Sequence, residues 1–198
     1  MGAASSDNRA FFGMICAALG ASGARVKLAK TASPRASASE ARALLEESDL
    51  VFISGGDVEH GMNVLHERDL AAVLLALGRA GKPMFGVSAG SLMMGREWVR
   101  FPDEDDESTA EIFPCLGLAP VHVDAHSEDD GWSELRILVR LLHQRGDADP
   151  VGYGLTGQGG LCISIDERGT EVKAMGTPIP RIVMRRGKVV EGKPLPLK

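Results

Sequence analysis

The segment at residues 84–94 constrains the fold more than any other part of the chain. An apolar run enters the turn Gly86-Val87-Ser88-Ala89-Gly90, and a helix-like stretch with three large apolar residues leaves it. The order strand, tight turn and helix is the context that a functional G-x-S-x-G turn requires. The segment therefore predicts a sheet strand followed by a helix, with the hydroxyl of Ser88 raised above the edge of the sheet.

Helix-like and strand-like segments alternate along the rest of the chain. We predict helices at residues 8–19, 39–47, 61–80, 89–94 and 133–144, the first of them capped by Ser6 or Asp7. We predict strands at residues 24–28, 50–53, 83–87, 118–123, 161–165, 171–175 and 181–184. This alternation indicates an α/β fold, a three-layer sandwich with a mostly parallel sheet.

The beginning of the sequence leaves two interpretations open. Residues 2–7 resemble the loop after a strand, yet no strand precedes them. Doubly wound sheets normally place their first strand in the interior. Either the first strand of such a sheet is missing from this sequence, or the fold begins with a helix.

Length and composition exclude several classes of protein. A chain of 198 residues with 44% hydrophobic residues suits one domain over residues 1–198. The net charge is -5 without a basic stripe, which argues against a nucleic-acid partner. No apolar run is long enough to span a membrane. Three scattered cysteines indicate reduced thiols in a cytoplasmic protein and neither a disulfide framework nor a metal site.

A second glycine-rich loop supports a reactive role for Ser88. The loop Ser54-Gly55-Gly56-Asp57 follows an apolar strand, so it should lie at the carboxyl edge of the same sheet. A carbonyl oxygen that becomes tetrahedral needs two preset donors. We predict that the backbone N–H groups of Gly56 and Ala89 form this oxyanion site. The alternative is an ordinary strand-end turn, with Ser88 merely capping a helix.

These two motifs together resemble a known family. The loop at residues 54–57, then Gly81-Lys82-Pro83-Met84-Phe85 before the serine turn, and Val123-Asp124-Ala125-His126 further on, resemble peptidase family S51, which contains peptidase E (α-aspartyl dipeptidase) and cyanophycinase. The likeness extends from about residue 50 to 165. It implies a flavodoxin-like fold of the class I glutamine-amidotransferase type and a serine peptidase that needs no cofactor.

The resemblance also implies the partners of Ser88. A serine hydroxyl needs a base within hydrogen-bond reach. Of five histidines, His126 stands where the family has its histidine, whereas His122 lies inside the predicted strand and should point elsewhere. The family's acid follows the serine helix, and Asp103 matches best. Asp106 fits a longer spacing, and the surrounding acidic run is alternatively a solvated loop.

Substrate binding is less well defined by the sequence. His60 lies close enough to the glycine loop to line the mouth of the site, and Asp57 belongs to that loop. In peptidase E, basic residues after the histidine hold an aspartate side chain. Here Arg136 is the candidate clamp, with fewer arginines around it than in the family.

The predicted function is an exopeptidase or cyanophycinase-like hydrolase that acts on small peptides, with a homodimer as an open alternative. The competing hypothesis is an idle amidotransferase-like domain that binds a small molecule or a partner. A glutamine amidotransferase is disfavoured because position 88 holds serine where that class needs cysteine. An α/β-hydrolase esterase is disfavoured because its histidine normally lies much further from the serine.

Overall fold

A computed structural model describes residues 1–103 and 105–197 of the chain. Contacts divide it into two compact units, Met1–Met93 and a second that begins at Met94. Separate compact units can belong to one domain, so the single domain over residues 1–198 stays a prediction.

The first unit places two parallel strands among helices. Its elements are α1 (Arg9–Gly20), α2 (Ala38–Glu47), β1 (Val51–Ile53), α3 (Val58–Glu67), α4 (Leu70–Arg79), β2 (Met84–Gly86) and the start of α5 (Ala89–Met94). Strands β1 and β2 pair in parallel, with Ile53 opposite Gly86. Parallel strands end at the same edge of a sheet, so the loops that follow β1 and β2 lie beside each other. The fully buried side chains of this unit include Ile53, Met62, Leu65, Leu70, Leu74 and Met93.

The second unit is rich in strands. Its elements are β3 (Glu97–Arg100), a 3-10 turn (Glu107–Thr109), β4 (Glu111–Pro114), β5 (His122–Ala125), α6 (Ser133–Arg145), β6 (Val151–Leu155), β7 (Gly160–Asp166), β8 (Gly169–Met175), β9 (Arg181–Arg185) and β10 (Lys188–Glu191). One sheet has the order β10-β9-β6-β5, in which β5 and β6 run in parallel. Strands β3 with β4 and β7 with β8 form antiparallel pairs. Helix α6 contributes Leu138 to a core that also contains Trp132 and Ile182.

The predicted α/β class is confirmed, because helices alternate with strands and both β1–β2 and β5–β6 are parallel pairs. Several element boundaries differ from the predictions. The cap of α1 is Asn8, whose side chain accepts from the N–H groups of Ala10 and Phe11, and not Ser6 or Asp7. The single helix predicted at residues 61–80 is wrong, since Asp69 adopts φ 54° and separates α3 from α4. The sequence analysis also did not predict the strands β3, β4, β6 and β10.

The strand predicted at residues 24–28 does not form. This segment carries no strand or helix assignment. A strand exists only where a neighbour supplies hydrogen bonds, and among the described residues no strand pairs with this segment. The segment instead lines a cleft next to β1.

Within the described residues, no helix combines the length and the apolar character that crossing a membrane requires.

Candidate active site

Ser88 occupies the turn between β2 and α5 with a backbone conformation that serine rarely adopts. Its φ is 52°, in the left-handed region. Such a conformation costs about 1–3 kcal/mol for a residue with a Cβ and is found mainly at functional positions. The amides of Ser91 and Leu92 donate to the Ser88 carbonyl, which closes the first turn of α5. The strained turn predicted from the sequence is therefore present.

Two glycines give this turn the space it needs. A Cβ on Gly90 would lie 2.2 Å from the carbonyl oxygen of Ile53, far inside a normal contact. A Cβ on Gly55 would lie 2.9 Å from the Cβ and 3.3 Å from the Oγ of Ser88. The glycine loop after β1 thus approaches the serine side chain so closely that a side chain at Gly55 would collide with it. The sequence predicted this meeting from the shared edge of the two strands.

Gly56 continues the loop in a conformation reserved for glycine. Its φ is 138°, and a Cβ there would lie 2.0 Å from the carbonyl oxygen of Ala4. The amide of Asp57 donates to that same carbonyl over 2.9 Å. The Ala4 carbonyl of the amino-terminal turn therefore fixes the position of the glycine loop. The oxyanion role of the Gly56 and Ala89 amides stays a prediction.

Hydroxyl groups near the amino terminus add contacts that the sequence did not reveal. The hydroxyl of Ser5 lies 3.1 Å from that of the buried Ser54, and the hydroxyl of Ser6 lies 3.0 Å from Nε2 of His60. Both contacts join residues about fifty positions apart, so local patterns carry no signal for them. The first contact attaches the glycine loop to the amino-terminal turn, and the second attaches α3 to it.

The two residues of this unit that were predicted to bind substrate have defined surroundings. Both Asp57 and His60 are exposed. The Asp57 carboxylate accepts the amide of His60 over 2.6 Å and so caps α3. His60 is oriented by Ser6. Their contact with a substrate stays a prediction.

His126, the predicted base, belongs to the second unit. It directly follows β5, is exposed and has φ 69°, another left-handed conformation of a non-glycine residue. A residue at the carboxyl end of a parallel strand is well placed for chemistry at the sheet edge. Its pairing with Ser88 remains a prediction.

Asp124, two residues before His126, is a buried carboxylate that the sequence analysis noted only as part of a motif. Only 4% of the residue is exposed. Its Oδ1 accepts the amide of Ala125 over 2.7 Å, and its Oδ2 has no hydrogen-bond partner among the described residues. Burial raises the pKa of this carboxyl, while the hydroxyl of Ser127 and the charge of His126 oppose the rise. A buried carboxylate therefore lies two residues before the predicted base in the chain.

The side-chain contact of His122 lies within the second unit. It is buried, and its Nε2 lies 3.1 Å from Oε2 of Glu97. Arg145 donates to the same oxygen over 3.0 Å and also contacts Asp147. Hydrogen bonds from Arg145 and His122 lower the pKa of Glu97. His122 therefore belongs to a structural ion network.

The two candidates for the acid both lie on an exposed loop. The Asp103 carboxylate accepts the amide of Asp105 over 3.1 Å. The Asp106 carboxylate accepts the amide of Ser108 over 2.8 Å, and Ser108 lowers its pKa. Glu104, which the sequence places in the same acidic run, lies outside the described residues. The choice between Asp103 and Asp106 stays open.

Arg136, the predicted carboxylate clamp, is tied to its own helix start. Its Nε donates to the carbonyl of Gly131 over 2.6 Å, and the side chain is half-buried.

The Glu128 carboxylate accepts the amide of Gly157, which connects the loop after His126 to the loop after β6. Among the described residues, no group of three or more His, Cys, Asp and Glu side chains has a metal-binding arrangement.

The chain is similar in sequence to known proteins. A family model described as peptidase family S51 matches residues 3–168, which include Ser88, His126 and Asp103. Peptidase E of Shewanella amazonensis is 32% identical over 88 residues, 44% of this chain and 37% of that protein. Peptidase E of Streptomyces coelicolor is 31% identical over 87 residues, 44% of this chain and 35% of that protein. The chain thus aligns with little more than a third of these relatives.

Solved structures show the same fold. A crystal structure from Listeria monocytogenes EGD-e, described as a candidate peptidase E protein, matches with a TM-score of 0.59 and 17% identity. The match covers 97% of this chain and 82% of that one. A peptidase from an acI-B1 actinobacterium matches with a TM-score of 0.52 and 16% identity, over 79% of this chain and 62% of that one.

Proposed function

Since the chain belongs to peptidase family S51, we propose that it is a serine peptidase whose nucleophile is Ser88. One observation carries the proposal: Ser88 is held at φ 52°, and Gly55 lies so close to its side chain that an added Cβ would come within 3.3 Å of its Oγ. A structural serine has no need of a strained backbone, whereas a nucleophile gains exposure from it. The glycine loop at residues 54–57 brings backbone amide groups close to the Ser88 side chain.

The proposed reaction uses one base and one acid. Ser88 Oγ attacks the peptide carbonyl while His126 takes its proton, and the imidazolium then gives that proton to the leaving amine. The amides of Gly56 and Ala89 hold the oxyanion. Asp103, or Asp106 in its place, orients His126. Water then hydrolyses the acyl-enzyme and restores the serine.

The proposed substrates are small peptides with an aspartyl residue, either aspartyl dipeptides or cyanophycin-like chains. Arg136 supports this class because a guanidinium can bind a carboxylate with two hydrogen bonds. Its Nε already donates to Gly131, which leaves its two terminal nitrogens as the groups that would reach a substrate. Asp57 and His60 would line the other side of the mouth. The same proposal includes a cytoplasmic location and a homodimer. It includes neither a nucleic-acid nor a membrane partner.

A serine-directed fluorophosphonate probe tests the nucleophile. We expect the wild-type protein to be labelled at Ser88 and the Ser88→Ala protein to remain unlabelled. Ser91→Ala is the matched control, since Ser91 lies one turn further along α5 and should leave labelling unchanged. A wild-type protein that is not labelled would favour the idle, ligand-binding domain.

A substrate screen tests the reaction. Aspartyl dipeptides, isoaspartyl dipeptides and cyanophycin are incubated with the wild type, Ser88→Ala, His126→Ala and His143→Ala. The last variant alters an exposed histidine on α6 and is the matched control. We expect hydrolysis by the wild type and His143→Ala, and a loss of at least about 100-fold for His126→Ala. Hydrolysis that persists in Ser88→Ala would contradict the mechanism.

A further inference from the structure

No step of the proposed reaction uses the buried carboxylate of Asp124. This residue lies on β5, which ends one position before His126. Only 4% of Asp124 is exposed, and its Oδ2 has no hydrogen-bond partner among the described residues. Burying a carboxylate without a full set of hydrogen bonds costs stability. A carboxylate kept in such a place calls for a role beyond the fold.

The Asp124 carboxylate is bonded to the residues on both sides of His126. Its Oδ1 accepts the amide of Ala125 over 2.7 Å. The hydroxyl of Ser127 forms a hydrogen bond with the same carboxylate. Ser127 is itself buried, and its carbonyl accepts the amide of Trp132 over 2.9 Å. Because Ala125 and Ser127 are the chain neighbours of His126, Asp124 holds the backbone on either side of the imidazole.

The backbone of His126 needs such support because its conformation is unfavourable. Its φ is 69°, in the left-handed region that residues with a Cβ rarely adopt. The residue is also exposed. A conformation of this kind persists only where the surrounding structure fixes it. The bonds from Asp124 to the two neighbouring residues supply part of that fixation.

The ring of Trp132 covers the sheet beside Asp124. Asp124 is paired in register with Gly154 of the parallel strand β6. Side chains of paired residues project from the same face of a sheet. A Cβ on Gly154 would lie 2.5 Å from Cε2 of Trp132, which is 5% exposed. The ring therefore excludes water from the face that carries Asp124, and charges interact more strongly where water is excluded.

Charged groups from the loop after β5 and from α6 face this carboxylate. Burial raises the pKa of the Asp124 carboxyl, the charge of Asp130 adds to the rise, and the charge of His126 opposes it. Burial and the charges of Asp124 and Asp130 also raise the pKa of Glu134, in the first turn of α6. Among the charged groups that act on Asp124, His126 is the cation.

The neighbouring strands hold their charges in other contacts. The residue of β6 beside Asp124 is Gly154, which has no side chain. His122 precedes Asp124 on the same face of β5, and its Nε2 lies 3.1 Å from Oε2 of Glu97 on β3. Arg145 of α6 donates to that same oxygen. The attraction that remains for the Asp124 carboxylate is the one to His126.

Electrostatic coupling between two groups is reciprocal. A charge on His126 favours the carboxylate of Asp124, so the carboxylate favours the charge on His126 to the same extent. In the proposed reaction, His126 becomes an imidazolium while Ser88 attacks. A negative charge preset near the place where positive charge develops stabilises that state, most of all in a site from which water is excluded.

We propose that Asp124 is a positioning residue for His126, because its hydrogen bonds fix the backbone on both sides of the imidazole and its buried negative charge favours the imidazolium. This inference rests on the proposed function, in which His126 is the base. It holds whichever of Asp103 and Asp106 orients the imidazole. The stability lost by burying the charge is then the consequence of its role in the reaction.

A nuclear magnetic resonance titration of the histidine ring protons tests the charge without any turnover. Asp124→Asn removes the charge and keeps an acceptor for the Ala125 amide. The titration midpoint of His126 should therefore move to lower pH by about 0.5 unit or more. The signal of His126 is the one that disappears in His126→Ala. A midpoint that stays unchanged or rises in Asp124→Asn would overturn the electrostatic role.

The control for this titration is Asp129→Asn. Asp129 belongs to the same loop and is exposed, so solvent screens its charge. We expect the midpoint of His126 to stay within about 0.2 pH unit of the wild-type value. A shift in the control as large as that in Asp124→Asn would overturn the specific role of the buried carboxylate.

The pH profile of fluorophosphonate labelling at Ser88 tests the effect on the reaction. For Asp124→Asn, we expect the acid limb of the labelling rate to move to lower pH with the midpoint of His126, and the plateau to fall about tenfold. A residue that only supports the fold would lower the plateau without moving the limb, and that result would overturn the proposal. If the wild type is not labelled at all, the proposed peptidase function fails, whereas the histidine titration still decides the role of Asp124.

A comparison of two substitutions at the same position tests the hydrogen bonds. Asp124→Ala removes the acceptor as well as the charge, so labelling should fall at least about tenfold below that of Asp124→Asn. Equal labelling of the two variants would overturn the role of the bonds. Thermal melts show whether each variant is folded. If Asp124→Ala does not fold, Ser127→Ala takes its place, since it removes one of the two bonds and leaves the charge.

Discussion

Gly55 lies so close to the side chain of Ser88 that position 55 has no room for a side chain of its own. A methyl group added at Gly55 would lie 2.9 Å from the Cβ of Ser88, closer than real Cβ atoms come to one another. The glycine and the serine are 33 positions apart (88 − 55), on loops that follow neighbouring parallel strands. The position of the serine hydroxyl therefore depends on a residue without a side chain in a different loop.

Gly55→Ala is expected to displace the Ser88 hydroxyl. A shift of about 1 Å in a reacting group can reduce a rate about 100-fold, and we expect the rate of fluorophosphonate labelling at Ser88 to fall by about that factor. The control is Gly13→Ala on α1, where an added Cβ meets nothing within 4 Å. This control should label at the wild-type rate and gain about 0.5–1 kcal/mol of stability. Wild-type labelling of Gly55→Ala would contradict the close approach.

The strain at Ser88 predicts a difference between two inactive proteins. Neither Ser88→Gly nor Ser88→Ala has a hydroxyl, but glycine adopts φ 52° without penalty whereas alanine does not. We expect Ser88→Gly to be more stable than Ser88→Ala by about 1 kcal/mol in urea unfolding. If the alanine protein proves the more stable of the two, the left-handed backbone is not a source of strain.

The buried Asp124 carboxyl predicts a dependence of stability on pH. Burial raises its pKa in the folded chain above the ordinary value of 3.8, so the folded state holds the proton longer than the unfolded state. Stability from this group is present below the unfolded pKa and is lost as the pH rises through the folded pKa. Asp124→Asn keeps the Oδ1 acceptor for the Ala125 amide and removes the charge.

The stability difference, Asp124→Asn minus wild type, should therefore increase as the pH rises above 3.8. Urea unfolding at a series of pH values measures it. Asp129→Asn, at an exposed position in the same loop, is the matched control and should show no such trend. A difference that stays constant with pH would show that Asp124 is not destabilised as a charged group.

The strained turn at Ser88 was predictable because its sequence signals are local. An apolar strand, two small residues around the serine and a helix start are all read within about eleven residues of sequence, and the structure has each of them there. The glycine loop was predictable for the same reason. The fact that both loops follow parallel strands then brought them together without further information.

Other features were not predictable because their causes are distant. The helix predicted at residues 61–80 is broken at Asp69, although apolar residues continue at helical spacing on both sides of the break. The contacts of Ser5 with Ser54 and of Ser6 with His60 depend on how the amino terminus packs. The segment at residues 24–28 has the composition of a strand but lacks a neighbour to pair with.

The tight fit of the first residues against the glycine loop has a practical consequence for anyone who prepares this protein. Met1 bonds to Phe52, and the Ala4 carbonyl fixes Asp57, so the amino-terminal turn is part of the scaffold behind Ser88. Substitutions in residues 1–5 would therefore alter the scaffold itself, although none of these residues is a proposed member of the reaction. The fold of such a variant needs to be checked before its activity is compared with that of another preparation.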